Sequence, residues 1–280
     1  MYDPTIARWS AVDGKAEKYI SYSPYHYAAN NPVRNYDIDG NEFTEAAWSW
    51  VISMLNNLGG EVTRLDNRAK KIDKKLGGSD LSDKKRQRLE DRKGRVEGRK
   101  DAAQSNYDQV FNEVVKMDYS SQVYDVRTDN SMSDSQTLVA GAGFDFSTGN
   151  FVIGMPSGSS AKFFAHEFKH AYQFEVGEYS VGPELSDPTY KNLLYDKHDE
   201  VAAYQRGAMF GETSYSINSL PKRYNGVATG PVDATTHPVI SGIMNHPNLT
   251  AAQKSEALQR FANGTGHAFR VNGTTYFRRR

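Results

Sequence analysis

The chain has 280 residues and carries 34 Lys and Arg against 34 Asp and Glu, so its formal net charge is zero. This length allows one large domain or two smaller ones with a buried core. The neutral balance gives no reason to expect a nucleic-acid partner. The chain contains no cysteine, which excludes disulfides, thiolate-bound zinc, iron–sulfur clusters and thiol nucleophiles.

We expect no targeting signal in the N-terminal region. The first 20 residues lack the basic start and apolar stretch that a signal peptide needs. The most apolar early run, residues 46–58, is too short and too polar to form a stable membrane span. We therefore expect synthesis in the cytoplasm and, for any target outside the cell, delivery by a specialised secretion route.

Short aromatic pieces separated by turn dipeptides fill residues 1–43. Four motifs follow one another there: YDP-x-x-x-R-W from Tyr2, SPY-x-Y from Ser23, NNP from Asn30 and D-x-D-G from Asp37. This order resembles the end of the Rhs repeat-associated core, the last part of a β-strand cage that a variable C-terminal toxin follows. The resemblance implies two partners, the Rhs cage of a full-length protein and a cognate immunity protein.

The Rhs-like stretch departs from the family pattern in two respects. The upstream repeats are missing, so we do not expect this chain to build the cage by itself. Ile38 stands where the family usually has Pro. In such cage proteins the acidic residues near this element are linked to self-cleavage that frees the toxin, and Asp37 and Asp39 occupy the matching place.

Residues 44–117 have a helical pattern. Apolar residues between 51 and 76 recur alternately four and three apart, which predicts a helix with one apolar stripe. Residues 77–80 end this helix, and Ser79 or Ser82 can cap a second helix in which the same spacing continues. We predict an antiparallel helical hairpin over residues 44–117.

Two further features of this predicted hairpin concern its shape and charge. Gly59 and Gly60 can break or kink its first helix. Residues 61–117 hold 16 Lys and Arg against 11 Asp and Glu, a local excess of five positive charges. A basic arm for phosphate or for an anionic membrane is one interpretation. Both signs occur throughout the stretch, which favours a solvated helical face.

After Met117 the hydrophobic pattern changes to a period of two. The alternation over residues 123–127 predicts a strand. The runs 144–146 and 151–154 flank a Gly-containing turn and predict a β-hairpin. The Ser-rich stretch 156–160 ends this hairpin and offers an N-cap for the next helix.

The motif HExxH follows at His166, Glu167 and His170. Positions four apart lie on one face of a helix, so both imidazoles can point at a single Zn²⁺. Glu167 can then take a proton from a water molecule that the metal acidifies and pass it to a leaving amine. The neighbouring Phe and Ala residues imply burial, which argues against two incidental surface histidines.

A catalytic zinc needs a third protein ligand and an open position. The arrangement HExxHxxGxxH is excluded because Gln173 and Val176 occupy its Gly and His positions. A second helix is predicted over residues 195–205, with Glu200 in its first turn. Small residues on an adjacent face would let this helix approach the first one. The rival third ligands are Glu184, His198 and Asp199, and Asp199 can instead orient a ligand imidazole.

An HExxH helix followed by a Glu on a second helix resembles the glutamate-zincin type of zinc metallopeptidase. The sequence from Glu200 to Tyr204 is similar to the E-x-x-A-Y element of metallopeptidase toxins attached to Rhs and related delivery proteins. The resemblance covers residues 118–210 and implies a protein substrate. It also implies Zn²⁺ held by His166, His170 and Glu200, with Glu167 as the general base.

A zinc peptidase also needs a donor for the developing oxyanion. With 17 tyrosines in the chain, the sequence does not single one out. Near the C-terminus, residues 249–261 predict a helix that Thr250 caps and that ends at Asn263 and Gly264. The residues that are chemically able to stabilise the oxyanion are Tyr204, Tyr224, His237 and His267.

The sequence therefore predicts an α+β protein in three parts: a β-rich Rhs remnant at 1–43, a helical hairpin at 44–117 and a zincin-like domain at 118–280. In that domain a β-hairpin or small sheet lies beside the HExxH helix and a second ligand-bearing helix. The leading hypothesis is a zinc metallopeptidase toxin of the Rhs type. One alternative is a binding or membrane-acting effector that uses its hairpin and has a structural zinc site, and another is an inert remnant of a larger gene.

Overall fold

The computed structural model describes residues 2–3, 8–9, 43–78, 81–128, 141–155, 158–182 and 193–279. The chain divides into two compact units, Met1–Asn41 and Glu42–Arg280. In the first unit the strands β1 (Tyr2–Asp3) and β2 (Arg8–Trp9) pair antiparallel. The D-x-D-G element with Asp37, Ile38 and Asp39 lies outside the described residues.

The second unit combines helices with small sheets, which confirms the predicted α+β class. Its described residues contain six α-helices and two three-stranded sheets. No helix among them is both long and apolar enough to cross a membrane.

Two long helices form a hairpin at the start of this unit. Helix α1 spans Glu45–Leu76 and helix α2 spans Asp83–Asp118. Residues near the start of α2 meet residues near the end of α1, so the helices run antiparallel. The ion pairs that show this are Lys93–Asp73 at 2.7 Å and Lys100–Asp66 at 3.4 Å. Ser82 is the N-cap residue of α2, and Ser79 lies outside the described residues.

The hairpin is buried at its base and has a small core of its own near its tip. Helix α1 continues through Gly59 and Gly60 without the break that the sequence allowed. The tip core contains only hairpin residues: Leu65, Ala69, Ile72 and Val96. The base belongs to the main core of the unit through Ala47, Val51, Met54, Leu58, Val110, Val114 and Met117.

The predicted strand and β-hairpin form one three-stranded sheet. The strands are β3 (Tyr124–Arg127), β4 (Gly141–Asp145) and β5 (Asn150–Gly154). Strand β5 lies in the centre, antiparallel to β4 and parallel to β3. The hairpin is thus confirmed, and β4 begins three residues before the predicted start. The period of two is visible in β3, where Tyr124 and Val126 are buried and their neighbours are partly exposed.

The remaining elements complete the unit. They are α3 (Ala161–Val176), β6 (Ser180–Val181), α4 (Lys197–Ala208), α5 (Pro238–Met244), α6 (Ala251–Thr265), β7 (Ala268–Val271) and β8 (Thr274–Tyr276). Thr250 caps α6 as predicted, but the helix continues past Asn263 and Gly264. It ends at Gly266, whose left-handed backbone lets its N–H bond to the carbonyl of Ala262.

Asp145 fixes the turn between β4 and β5. Its carboxylate accepts hydrogen bonds from the backbone N–H of Ser147 at 2.9 Å and from Arg127 at 2.8 Å. Burial raises the pKa of this carboxyl, but the hydrogen bonds from Ser147 and Arg127 outweigh burial and hold the pKa well below its usual value.

Replacing Asp145 by Asn should lower the free energy of unfolding at pH 7 by about 1–2 kcal/mol, because the charge-assisted bonds are lost. A depressed folded-state pKa means that this stabilisation exists above the unfolded-state value of about 4 and is lost as the pH falls towards the folded-state value. Urea unfolding of wild type, Asp145→Asn and the exposed control Asp101→Asn at several pH values measures this difference in the free energy of unfolding. A gap between wild type and Asp145→Asn that stays constant below pH 4 would contradict the assignment.

Candidate metal centre

Helix α3 carries the two histidines of the HExxH motif on a buried face. His166 and His170 stand one turn apart, and their ring centroids lie 5.2 Å from each other. Both side chains are buried. The spacing of four residues therefore places both imidazoles on the same face of the helix, as the sequence predicted.

Helix α4 brings Glu200 to the same place. Its Oε2 lies 3.6 Å from Nε2 of His166, and its Oε1 lies 3.4 Å from Nε2 of His170. Ligand atoms of the three residues all lie within 4.8 Å of one another, so this buried triad could hold a metal ion. In the part of the chain that the structure describes, it is the one group of three or more His, Asp or Glu with this property.

The donor atoms of Glu200 fit a metal better than a closed hydrogen-bond network. Oε1 accepts a hydrogen bond from the hydroxyl of Tyr195, but Oε2 is buried and has no hydrogen-bond partner. A buried carboxylate oxygen without a partner is costly. Two ligands that each lie about 2.1 Å from a tetrahedral ion stand about 3.4 Å apart, close to the separations between Glu200 and the two imidazoles.

The rival third ligands are not part of this cluster. The side chain of His198 is 43% exposed and lies 3.0 Å from Asp196. Asp199 accepts the backbone N–H of Asp196 at 2.8 Å in the capping box that begins α4. Glu184 lies outside the described residues. Among the described candidates, the structure thus brings Glu200 to the two histidines.

The cluster concentrates negative charge that needs a buried cation. Burial alone lowers the pKa of His166, but the neighbouring carboxylates of Glu200 and Glu212 raise it to about 10. Burial alone raises the pKa of Glu200, but the charge of His170 and the close approach of both imidazoles hold it well below its usual range. Either a proton on an imidazole or a metal ion can supply the positive charge that these carboxylates require.

Glu167 lies between the cluster and strand β4. The side chain is buried and accepts a hydrogen bond from the backbone N–H of Ala142. Burial raises the pKa of Glu167, and the charges of the neighbouring histidines oppose this shift. A Cβ atom on Gly141 would lie 3.7 Å from its Oε2, which shows how closely the strand passes.

Two of the four candidate oxyanion donors lie beside the cluster. The ring of Tyr204 packs edge-on against His166 with centroids 4.5 Å apart, and its hydroxyl lies 3.4 Å from that of Tyr224. Burial and the charge of Glu200 raise the pKa of Tyr224 well above its usual value. The other two candidates lie elsewhere: His237 caps α5, and His267 follows α6, where its ring faces the carbonyl of Thr265.

The two histidines of the triad have partners on the ring nitrogens that face away from it. Nδ1 of His170 lies 2.8 Å from Oε1 of Gln173, and Nδ1 of His166 lies 3.2 Å from Oε2 of Glu212. Such contacts orient an imidazole and fix its tautomer. Sequence reasoning missed both. Gln173 could have been found, since it stands three residues after His170 on one helix, whereas Glu212 lies in a loop without any periodic pattern.

A buried ionic cluster joins the helical hairpin to α3 and α4, the two helices that carry the triad. Glu113 of α2 lies 2.9 Å from the Nζ of Lys169 in α3 and 2.7 Å from the guanidinium of Arg206 in α4. All three side chains are largely buried. Because α3 carries the histidines and α4 carries Glu200, this cluster helps to set the distance between the candidate ligands.

Comparisons with known proteins add no relative. The chain matches no protein-family model, no curated protein and no solved structure. The resemblance to Rhs cores and to glutamate zincins therefore rests on the sequence motifs. The candidate metal centre rests on its own geometry.

Replacing Glu113 by Ala should lower the free energy of unfolding by about 3–5 kcal/mol, since Lys169 and Arg206 would remain buried without a counter-charge. Urea unfolding monitored by circular dichroism measures this loss. Asp108→Ala, an exposed carboxylate on the same helix, is the control and should change stability by less than about 0.5 kcal/mol. Equal losses of unfolding free energy for Glu113→Ala and Asp108→Ala would show that the buried cluster contributes no more to stability than an exposed carboxylate.

Proposed function

We propose that the chain is a zinc-dependent metallopeptidase that serves as the toxin part of an Rhs-type delivery protein. The observation that carries the proposal is the buried triad His166, His170 and Glu200 with Glu167 beside it. The HExxH motif and the Rhs-like stretch support the two halves of the proposal, the chemistry and the mode of delivery.

The donor set favours zinc in a catalytic role. Two imidazole nitrogens and one carboxylate oxygen suit this borderline ion, and no thiolate is needed. Structural zinc sites are closed by four protein ligands, whereas catalytic ones keep a position open. Only three His, Asp or Glu side chains converge in the described part of the chain. This count favours an enzyme over the alternative with a structural zinc site.

The side chains around the triad suit the hydrolysis of an amide bond. Bound zinc supplies Lewis-acid chemistry, which polarises a carbonyl group and makes water easier to deprotonate. Glu167 can accept the proton of the attacking water and return it to the leaving amine. Tyr204 and Tyr224 can donate hydrogen bonds to the developing oxyanion.

The edge strand β4 supports a protein substrate. Only one side of β4 is paired among the described strands, because β5 separates it from β3. An extended peptide can add to such an edge through main-chain hydrogen bonds. The residues Gly141, Ala142 and Gly143 are small, so a peptide could approach the strand closely. A peptide bound there would lie next to Glu167.

The hairpin favours the enzyme over an effector that acts through its helices alone. The hairpin base shares the main core, and Glu113 bonds to both metal-bearing helices. These contacts suit a hairpin that supports the helices of the triad within one catalytic unit. The Rhs resemblance further supports an Rhs cage and an immunity protein as partners.

Purified wild type should contain one zinc per chain, and His166→Ala should lose it because one of three ligands is gone. Elemental mass spectrometry measures the metal content. His198→Ala is the matched control, since His198 is a histidine of α4 outside the triad. Wild type that takes up no zinc when zinc is supplied to a folded sample would refute the proposal.

Glu167→Gln should retain zinc and lose hydrolysis by about 100-fold or more, because the amide cannot accept the proton. Cleavage of a denatured protein or a peptide library by the zinc-loaded protein, read by mass spectrometry, measures activity. Glu178→Gln, which changes a carboxylate just after the same helix, is the control. Unchanged hydrolysis by zinc-loaded Glu167→Gln would rule out the assigned general base.

A further inference from the structure

A loop residue, Glu212, contacts His166 on the side of the imidazole ring that faces away from Glu200. Its Oε2 stands 3.2 Å from Nδ1 of His166, while Nε2 of the same ring points towards Glu200. A carboxylate accepts hydrogen bonds and does not donate them when ionised. The contact therefore requires a hydrogen on Nδ1, which leaves the lone pair of the neutral ring on Nε2, the atom that faces the triad.

The backbone after α4 holds Glu212 in this place. The N–H of Glu212 donates to the carbonyl of Gly207 at 3.1 Å, and the N–H of Phe210 donates to the same carbonyl at 2.9 Å. Gly211 takes a left-handed conformation with φ of 89°, which folds the chain back over the last turn of the helix. The loop therefore returns the carboxylate to the helix that carries Glu200.

Gly207 leaves the space that the carboxylate occupies. A Cβ atom at this position would overlap Oε2 of Glu212 and lie 2.9 Å from its carboxyl carbon. Gly207 is the next-to-last residue of α4, and its backbone is not in the left-handed conformation that would explain a glycine. Its presence here is explained by the room that Glu212 needs.

We propose that Glu212 is a positioning residue of the metal centre. We also propose that position 207 is a glycine because a side chain there would displace the Glu212 carboxylate. The carboxylate fixes the tautomer and orientation of His166 and makes its Nε2 a stronger ligand. His170 has a neutral partner instead, the amide oxygen of Gln173. The inference rests on the proposed zinc site and adds two residues to it, neither of which belongs to the HExxH motif.

Zinc affinity, measured by competition with a chromophoric chelator, tests the proposal. Glu212→Ala should bind zinc about 10–100-fold more weakly than wild type. Gly207→Ala should weaken binding to a similar extent, because it expels the same carboxylate. Since both changes remove one interaction, the double variant should lose no more than either single variant. Gly60→Ala is the control, a helical glycine with open space at its Cβ position.

A second measurement separates positioning from a general loss of structure. Glu212→Gln keeps the size and an acceptor oxygen, so it should fold and lose less affinity than Glu212→Ala. In proton–nitrogen spectra of the zinc-loaded protein, the Nδ1–H signal of His166 should move upfield in Glu212→Gln while that of His170 stays in place.

The outcomes distinguish this inference from the proposed function. Wild type that binds zinc, with Glu212→Ala and Gly207→Ala binding it equally tightly, would overturn the inference alone. A His166 signal unmoved in Glu212→Gln would also overturn it. Wild type that binds no zinc would overturn the proposed function and this inference together.

Discussion

The burial of the Glu200 carboxylate between two imidazoles is the constraint on which the site depends. A carboxylate in this position is stable only with a cation beside it, and one of its oxygens has no hydrogen-bond partner. Neighbouring side chains hold both the carboxylate and the two imidazoles in place. Tyr195 bonds to Glu200 itself, while Gln173 and Glu212 hold the rings of His170 and His166. The cluster is thus arranged so that it could hold a cation, whatever the substrate.

A second buried ionic cluster follows the same physical logic. Glu113 is a buried carboxylate that meets two cationic side chains, Lys169 and Arg206. Buried ion pairs contribute little net stability compared with apolar packing, but removal of one partner is severely destabilising. Such a cluster therefore discriminates strongly against other relative placements of α2, α3 and α4. Since α3 and α4 carry the triad, this discrimination also protects the spacing of the candidate ligands.

Features fixed by local geometry could be predicted from the sequence. The face shared by His166 and His170 follows from helical periodicity, and the hairpin of β4 and β5 follows from its turn and alternation. Features that depend on distant parts of the chain were missed. The parallel pairing of β3 with β5 and the contact of Glu113 with α4 have no local pattern. Glu200 is an intermediate case. Its helix could be predicted from the sequence, but Glu200 was only one of four candidates for the third ligand.

The packing also bears on which part of the chain is the functional unit. The HExxH motif and the change of pattern after Met117 suggest a catalytic domain that begins near residue 118. Yet Glu113, Val110 and Val114 lie before that point and pack against elements after it. A chain that began at 118 would leave Lys169 and Arg206 without their counter-charge and expose apolar surface on α3. A piece that keeps the triad supported must therefore include the hairpin, as the compact unit Glu42–Arg280 does.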